Sequence, residues 1–450
     1  MKSTFRSLRH RDFRLYWSSM LVSNIGTWMQ QITQLWLVLV VLDGGARATG
    51  ITLGLQFLPF LLVAPFGGLL ADRLPKRNLL IFSNAFMGII GLVLGILTLT
   101  GVAQIWQVYL LAFLLGAGKA LDNPARQAFV SELVGPEDLP NAIALNSTSF
   151  NAARLIGPAL AGLLIHAIGT GWVFVINAVT FASPIIALLL LRYRPPHGAV
   201  GQDTGGVISR LSEGVRYVRG RPDLLMIMLI IFGLGTFGMN FEMTMALMAT
   251  EVYEKGSGEY GVLGSILAIG TLTGALLSAR RKHPRRRLIV GGAVIFGLFQ
   301  IVAALMPNYV LFAIALVPLG LITMTVLISA NTYVQTTVPA HVRGRVLALY
   351  MMILMGGKPV GAPVVGWVAD LFGAQWSFIG GGILTIIFAI AALVFIAPRS
   401  GIVVRPRFRP RPGLAVIVDL PRPADTTAGT APDHVPPRGP GADTGPRAAA

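Results

Sequence analysis

The 450-residue chain has no cysteine, so disulfides and thiolate metal sites are excluded and the redox compartment is left undefined. Charge is scarce too: 12% of residues are Asp, Glu, Lys or Arg, against about 25% in soluble domains. So little charge cannot coat a soluble multidomain enzyme, and that class is excluded. Acids are the scarcer sign, 19 against 36 Lys and Arg, for a net +17. Such a balance can point to nucleic acid, but with few charges in all their placement decides. Two motifs are missing as well. No G-x-x-x-x-G-K-[ST] phosphate loop occurs, which opposes an ATP-driven pump. No paired-Asp motif lies in the apolar runs, although a membrane prenyl or glycosyl transferase would need one for metal-bound pyrophosphate. Neither metal nor cofactor is expected.

What the chain has is apolar length. Hydrophobic residues make up 54%, and a helix of about 20 apolar residues crosses a bilayer. Twelve such runs stand near 14–42, 50–71, 79–101, 105–127, 140–167, 171–192, 223–250, 260–280, 288–306, 309–335, 345–370 and 375–397. The 52 glycines, and internal prolines such as Pro59, Pro158 and Pro363, would break soluble helices but are tolerated in membrane ones. Continuous runs favour helical spans over barrel strands, which alternate. The first run follows a basic, polar start and lacks a small-x-small site, so it reads as a span and not as a cleavable signal.

With the N-terminus placed in the cytoplasm, Lys and Arg gather on one side. All but five of the 36 fall there; Arg47 and Lys255 lie outside, and Lys119, Arg154 and Lys358 lie within spans. The positive-inside rule then predicts cytoplasmic termini and a multi-pass protein of the cell membrane. The basic run Arg280 to Arg287 reads as a cytoplasmic loop and not as a nucleic-acid patch. In the 193–222 loop, Leu211, Val215 and Val218 recur at helical spacing beside Arg210, Arg216 and Arg219, which predicts an interfacial amphipathic helix. The Pro-, Gly- and Arg-rich segment 399–450 reads as a disordered tail.

A repeat runs through the spans. Gly157-Pro158-Ala159-Leu160-Ala161-Gly162 matches Gly361-Ala362-Pro363-Val364-Val365-Gly366, and Gly169, Trp172 and Phe174 match Gly373, Trp376 and Phe378 in the same register. Gly116 matches Gly320, and Arg154 aligns with Lys358. Gly67-Gly68-Leu69-Leu70 matches Gly274-Ala275-Leu276-Leu277. Two copies in the same orientation predict an all-α integral membrane fold. Twelve helices would form two six-helix bundles, at 1–192 and 223–398, with the linker between them. A carrier so built holds its site between the halves.

At this point the chain resembles the major facilitator superfamily. Gly68-Leu69-Leu70-Ala71-Asp72-Arg73-Leu74-Pro75-Lys76-Arg77 is similar to its signature G-x-x-x-D-R-x-G-R-R, with Pro75 and Lys76 departing from it. The start Phe5 to Leu15 and the segment Asp122-Asn123-Pro124-Ala125-Arg126-Gln127-Ala128-Phe129 resemble the branch of the enterobactin exporter and macrolide-efflux proteins. Gly157, Pro158 and Gly162 resemble a shortened antiporter motif. The resemblance implies proton-driven efflux of a small amphipathic molecule (drug, siderophore or secondary metabolite) by a monomer. An uptake permease or lipid transporter of the same fold is the alternative. It also implies that Gly68, Asp72, Arg73, Lys76 and Arg77 gate the halves at the cytoplasmic mouth and hold the outward-facing state.

The charges inside the spans are the remaining candidates for mechanism. Lys119, Asp122 and Arg126 form one helical stripe, where neighbours can neutralise one another. Arg154, Lys358 and Glu242 must face the bundle interior or a wet cavity, because charge at membrane depth is costly. These six are candidates for proton coupling or cargo binding; structural ion pairing is the other reading. Asn24, Trp28, Gln31 and Gln34, with Gln30, offer a polar and aromatic lining. Gly157, Pro158, Gly162, Gly361 and Gly366 read as helix packing. Truncation after Ser400 is expected to leave transport intact in reconstituted vesicles; lost activity would contradict the reading of 399–450 as a dispensable tail.

Overall fold

The computed structural model describes residues 5–63, 74–192, 207–281, 286–396, 402–407 and 413–418. Gly68, Asp72 and Arg73 of the signature stretch lie outside them. Two units separate in the chain, 1–400 and 401–450.

The first unit is all helix. Its elements are α1 (Arg11–Trp36), α2 (Gly45–Leu62), α3 (Lys76–Leu99), α4 (Ile105–Leu133), α5 (Leu139–Ile168), α6 (Thr170–Leu190) and α7 (Val207–Arg219). Then come α8 (Pro222–Gly233), α9 (Phe241–Leu247), α10 (Ser257–Ala279), α11 (Arg286–Ala304), α12 (Tyr309–Thr337), α13 (Ala340–Gly356), α14 (Lys358–Phe372) and α15 (Ala374–Ala391). Among the described residues, ten helical stretches are long and apolar enough to cross a membrane. The first two expected spans are not among them. α1 carries Arg11, Asp12, Arg14 and a run of Gln and Ser, and the end of the second expected span falls outside the described residues. Large apolar side chains point outward, among them Phe82, Leu163, Val179 and Phe395, as lipid contact requires and water does not permit at this density.

Sequence repeats correspond to repeated backbone features. Gly169 and Gly373, aligned in the repeat, adopt φ of +82° and +95°. Each is the single residue between two helices, α5–α6 and α14–α15, a conformation that a Cβ disfavours. A second pair escaped the sequence reading. α1 ends in a π-turn, Leu37–Val41, followed by Asp43 at φ 49°; α9 ends in a π-turn, Met248–Val252, followed by Glu254 at φ 52°.

The glycines of the repeat make equivalent close approaches. A Cβ on Gly162 of α5 would stand 2.4 Å from the Ser257 carbonyl at the start of α10, and one on Gly366 of α14 would stand 2.6 Å from the Ala46 carbonyl at the start of α2. Gly157 lies against Trp28 of α1, while Gly361 lies against Thr236 in the π-turn Leu234–Gly238 that follows α8. Small residues thus let backbones touch at α5–α10 and α2–α14, as between membrane helices generally.

These two contacts lie on one face of the unit, where the Arg47 backbone N–H donates to Asp370 Oδ1 at 3.3 Å. The opposite face holds ion pairs around the helix ends: Arg6 with Glu137 at 2.9 Å, Lys76 with Glu132 at 2.5 Å, and Arg221 with Asp223 at 2.8 Å. Glu213 of α7 pairs with Arg345 of α13, so the helix expected in the 193–222 loop is joined to the bundle. The span expected over 345–370 falls within the apolar stretch Ala340–Phe372, where Gly357 separates α13 from α14 just before Pro359, which lacks a donor. Among the described residues of 399–450, β1 (Ile402–Arg407) and β2 (Gly413–Val418) pair antiparallel, Val404 opposite Val416; their β-branched runs favour strand pairing despite the surrounding Pro and Arg.

Gly361→Ala is expected to lower the melting temperature of the purified protein sharply, since its Cβ would lie 1.7 Å from the Thr236 carbonyl; overpacking typically costs about 1–3 kcal/mol. Gly291→Ala in α11, where a Cβ meets nothing within 4 Å, should be neutral or stabilising by about 0.5–1 kcal/mol. Equal melting of the two variants would contradict the packing role.

Candidate functional site

Two groups of polar side chains lie within the helices. The first surrounds Asp122 of α4, which is 1% exposed. Its Oδ1 accepts from Ser83 Oγ at 2.8 Å and from Asn84 Nδ2 at 3.1 Å, both on α3; its Oδ2 accepts from Arg126 at 2.5 Å. Arg126 also donates to Asn24 Oδ1 of α1 at 3.0 Å. The stripe therefore resolves into one i, i+4 pair, and four hydrogen bonds among five side chains of α1, α3 and α4 tie three helices together. Lys119, the third member of the stripe, is not part of that pair.

The second group lines a small cavity. Trp28 and Ile32 of α1, Arg154 and Pro158 of α5, Phe241, Glu242 and Met245 of α9, and Gly264 and Leu267 of α10 enclose it. Its volume is about 20 Å³, room for about one water molecule. The Arg154 guanidinium lies 5.6 Å from the Trp28 ring. Lys358, on α14, points its Nζ to Glu242 Oε2 at 3.5 Å and stands 4.3 Å from the ring of Phe57 on α2. Each cation is thus held by an aromatic face, a contact worth about 2 kcal/mol or more when desolvated. The repeat-related cations Arg154 and Lys358 approach Glu242 from opposite repeats.

The helix that carries Glu242 is short because its neighbours are distorted. π-turns precede and follow α9, and Asn240 Nδ2 donates back to the Thr236 carbonyl at 2.8 Å. Tyr260 stacks on Trp36 and donates from its hydroxyl to the Glu242 carbonyl at 2.7 Å. Distorted backbone at membrane depth is tolerated where it lines a cavity, and π-bulges concentrate at functional sites.

Other expected residues go elsewhere. Asn24 binds Arg126 and does not line the cavity, because the buried guanidinium needs acceptors more than a cavity needs lining. Gln30 accepts from Asn177 of α6, and Gln31 and Gln34 are buried among the helices, so of the expected lining on α1 the cavity receives Trp28. Lys76 pairs with Glu132, and Arg77 donates to the Leu189 carbonyl at 3.1 Å. Ser83, Asn84, Phe57 and Tyr260 were missed. Ser83-Asn84 carried a signal, a polar break in an apolar run, while the two aromatic residues look like ordinary lipid- or core-facing side chains.

Removing one partner of a buried ion pair strands the other charge, at about 3–5 kcal/mol. Asp122→Asn and Arg126→Gln should each lower the unfolding temperature, and the double variant should recover part of the loss. Additive effects in that cycle would contradict the pairing.

Comparison with known proteins fits this arrangement. The chain matches the family described as transmembrane secretion effector over residues 2–418. It is 27% identical over 373 residues to the multidrug efflux pump Tap of Mycolicibacterium fortuitum, covering 80% of this chain and 89% of that one. It is 26% identical over 340 residues to the enterobactin exporter EntS of Shigella boydii serotype 18, covering 73% and 75%. In fold it resembles the crystal structure of a bacterial homolog of the human lysosomal transporter Spinster in an inward-facing and occupied conformation. That likeness has a TM-score of 0.68 at 16% identity over 87% of this chain and 97% of that one. The chain is a multi-pass membrane transporter of small molecules, and it belongs to the transmembrane secretion effector family of the major facilitator superfamily.

Proposed function

We propose that the chain is a secondary exporter that works as a monomer by alternating access, with twelve spans in two six-helix bundles. The observation that carries this reading is the cavity lined by Trp28, Arg154 and Glu242, which is bounded by helices from both repeats. Such a site between repeats is where carriers bind cargo. The one-sided distribution of Lys and Arg supports cytoplasmic termini and a cell-membrane location. In that orientation the glycine contacts of α2 with α14 and of α5 with α10 close the outer side, so the conformation is inward-facing. Cargo reaches an enlarged form of the cavity from the cytoplasm as these helices move apart.

The cargo is a small amphipathic molecule, a drug, siderophore or secondary metabolite, and the exporters among the relatives support this. Export is driven by proton antiport. Asp122 and Glu242 are the coupling candidates because each holds a cation inside the membrane. Protonating either acid leaves that cation without its counter-charge, at a cost of several kcal/mol, and a helix rearrangement that rehydrates the cation relieves it. At the cytoplasmic mouth, Gly68, Asp72, Arg73, Lys76 and Arg77 form the gate, and the Lys76–Glu132 pair fixes α3 to α4 beside it.

Counterflow in proteoliposomes, screened across drugs and siderophores, tests this reading, followed by pumping under an imposed pH gradient. Glu242→Gln or Asp122→Asn is expected to lower transport about tenfold and flatten its pH dependence, since losing a hydrogen bond to a charged group costs about 1.5–3 kcal/mol. Pumping that ignores the gradient sinks proton antiport. Intact pH dependence in both variants removes these two acids as coupling sites.

A further inference from the structure

Charge is out of balance around the cavity. Arg154 and Glu242 line the cavity together and Lys358 reaches the same carboxylate, whereas Asp122 already has Arg126 as its partner. Two cations therefore share one carboxylate at membrane depth, where an uncompensated charge is costly. The carboxylate itself is loosely engaged. Its contact with Lys358 is 3.5 Å, beyond the about 2.7–2.9 Å of a strong charge-assisted bond. Arg154 is looser still: it faces the Trp28 ring, and among the described residues its guanidinium makes no hydrogen bond. Five planar N–H donors, aimed into a cavity and free of acceptors, match a carboxylate or a similar oxyanion. The remaining walls, Ile32, Phe241, Met245 and Leu267, are apolar.

We propose that the enlarged, cargo-accepting form of this cavity selects an amphipathic anion, whose oxyanion end is held by Arg154 and Lys358 and whose apolar or aromatic body lies along Trp28 and the apolar wall. The proposal rests on the exporter reading and narrows its cargo. Glu242 acts as a built-in competitor, holding the cations while the cavity is empty. A cationic cargo of the same shape would meet Glu242 but also the like charges of Arg154 and Lys358, and it is rejected. An inside-negative potential drives an anion outward, so the charge preference also suits export.

A matched set of probes tests this: 2-naphthoate, 2-naphthamide and 2-naphthylmethylammonium share one ring system and differ in charge. Binding to the full-length reconstituted protein is measured by thermal shift, and carriage by counterflow, each against protein-free liposomes. 2-Naphthoate is expected to bind about tenfold or more tighter than the other two, as bonds to charged groups are worth about 1.5–3 kcal/mol. Arg154→Gln should remove that advantage and Arg154→Lys should keep part of it, which separates lost charge from misfolding. Glu242→Gln should strengthen 2-naphthoate binding by removing the competitor. Preference for the ammonium probe, equal binding of all three, no binding by any, or unchanged 2-naphthoate binding in Arg154→Gln overturns the proposal. Carriage of the ammonium probe alone overturns the anion preference and leaves the carrier reading standing. Arg154-dependent binding of 2-naphthoate, with no carriage of it or of the drug and siderophore panel, supports the anion site and removes the carrier reading.

Discussion

A charge held between the faces of a bilayer has no water to solvate it, so its partner has to come from the protein or from cargo. That constraint organises the structure. Asp122 and Arg126 satisfy it locally, with Ser83, Asn84 and Asn24 completing a cluster across three helices. Lys358 and Glu242 satisfy it within the second repeat, with the ring of Phe57 from the first as a second support. Arg154 meets it only in part, which is why the cavity beside Trp28 stands out from the rest of the interior.

Close backbone approach is what allows these charges to meet. Lipid tails give helices no hydrophobic reason to associate, so packing must supply it. Glycine supplies it at α5–α10 and α2–α14, where neighbouring carbonyls occupy the space a Cβ would fill. The repeat makes the arrangement reciprocal: Gly162 touches the start of α10, and Gly366 touches the start of α2. Pro158, within the same stretch of α5, also lines the cavity. Packing and site thus share residues, and a change in one is felt in the other.

Much of this was legible in the chain. Apolar length and scarce charge gave membrane helices, the internal match gave the duplicated spans, and the resemblance gave the superfamily. The charged residues most worth following were also visible, since Arg154, Glu242 and Lys358 stand out in apolar surroundings. Less legible was the role of α1. Its Asn and Gln residues look alike in sequence, yet Asn24 binds a buried arginine, Gln30 binds Asn177, and Trp28 is the member of that lining that reaches the cavity. Helix rotation settles such differences, and rotation is fixed by neighbours far along the chain. The strands Ile402–Arg407 and Gly413–Val418 were hidden by a composition dominated by proline and arginine.

The sequence by itself determined that this protein lives in a membrane, that stretches of its spans repeat, and that a few charges must find partners inside it. Each follows from the energetics of transfer into hydrocarbon, which depend on composition and run length. Only the tertiary structure decided which charges meet. Asp122 takes Arg126, Lys358 reaches Glu242 across more than a hundred residues, and Arg154 faces Trp28. Partner choice depends on the rotation and depth of helices brought together by glycine contacts, and no local pattern encodes it.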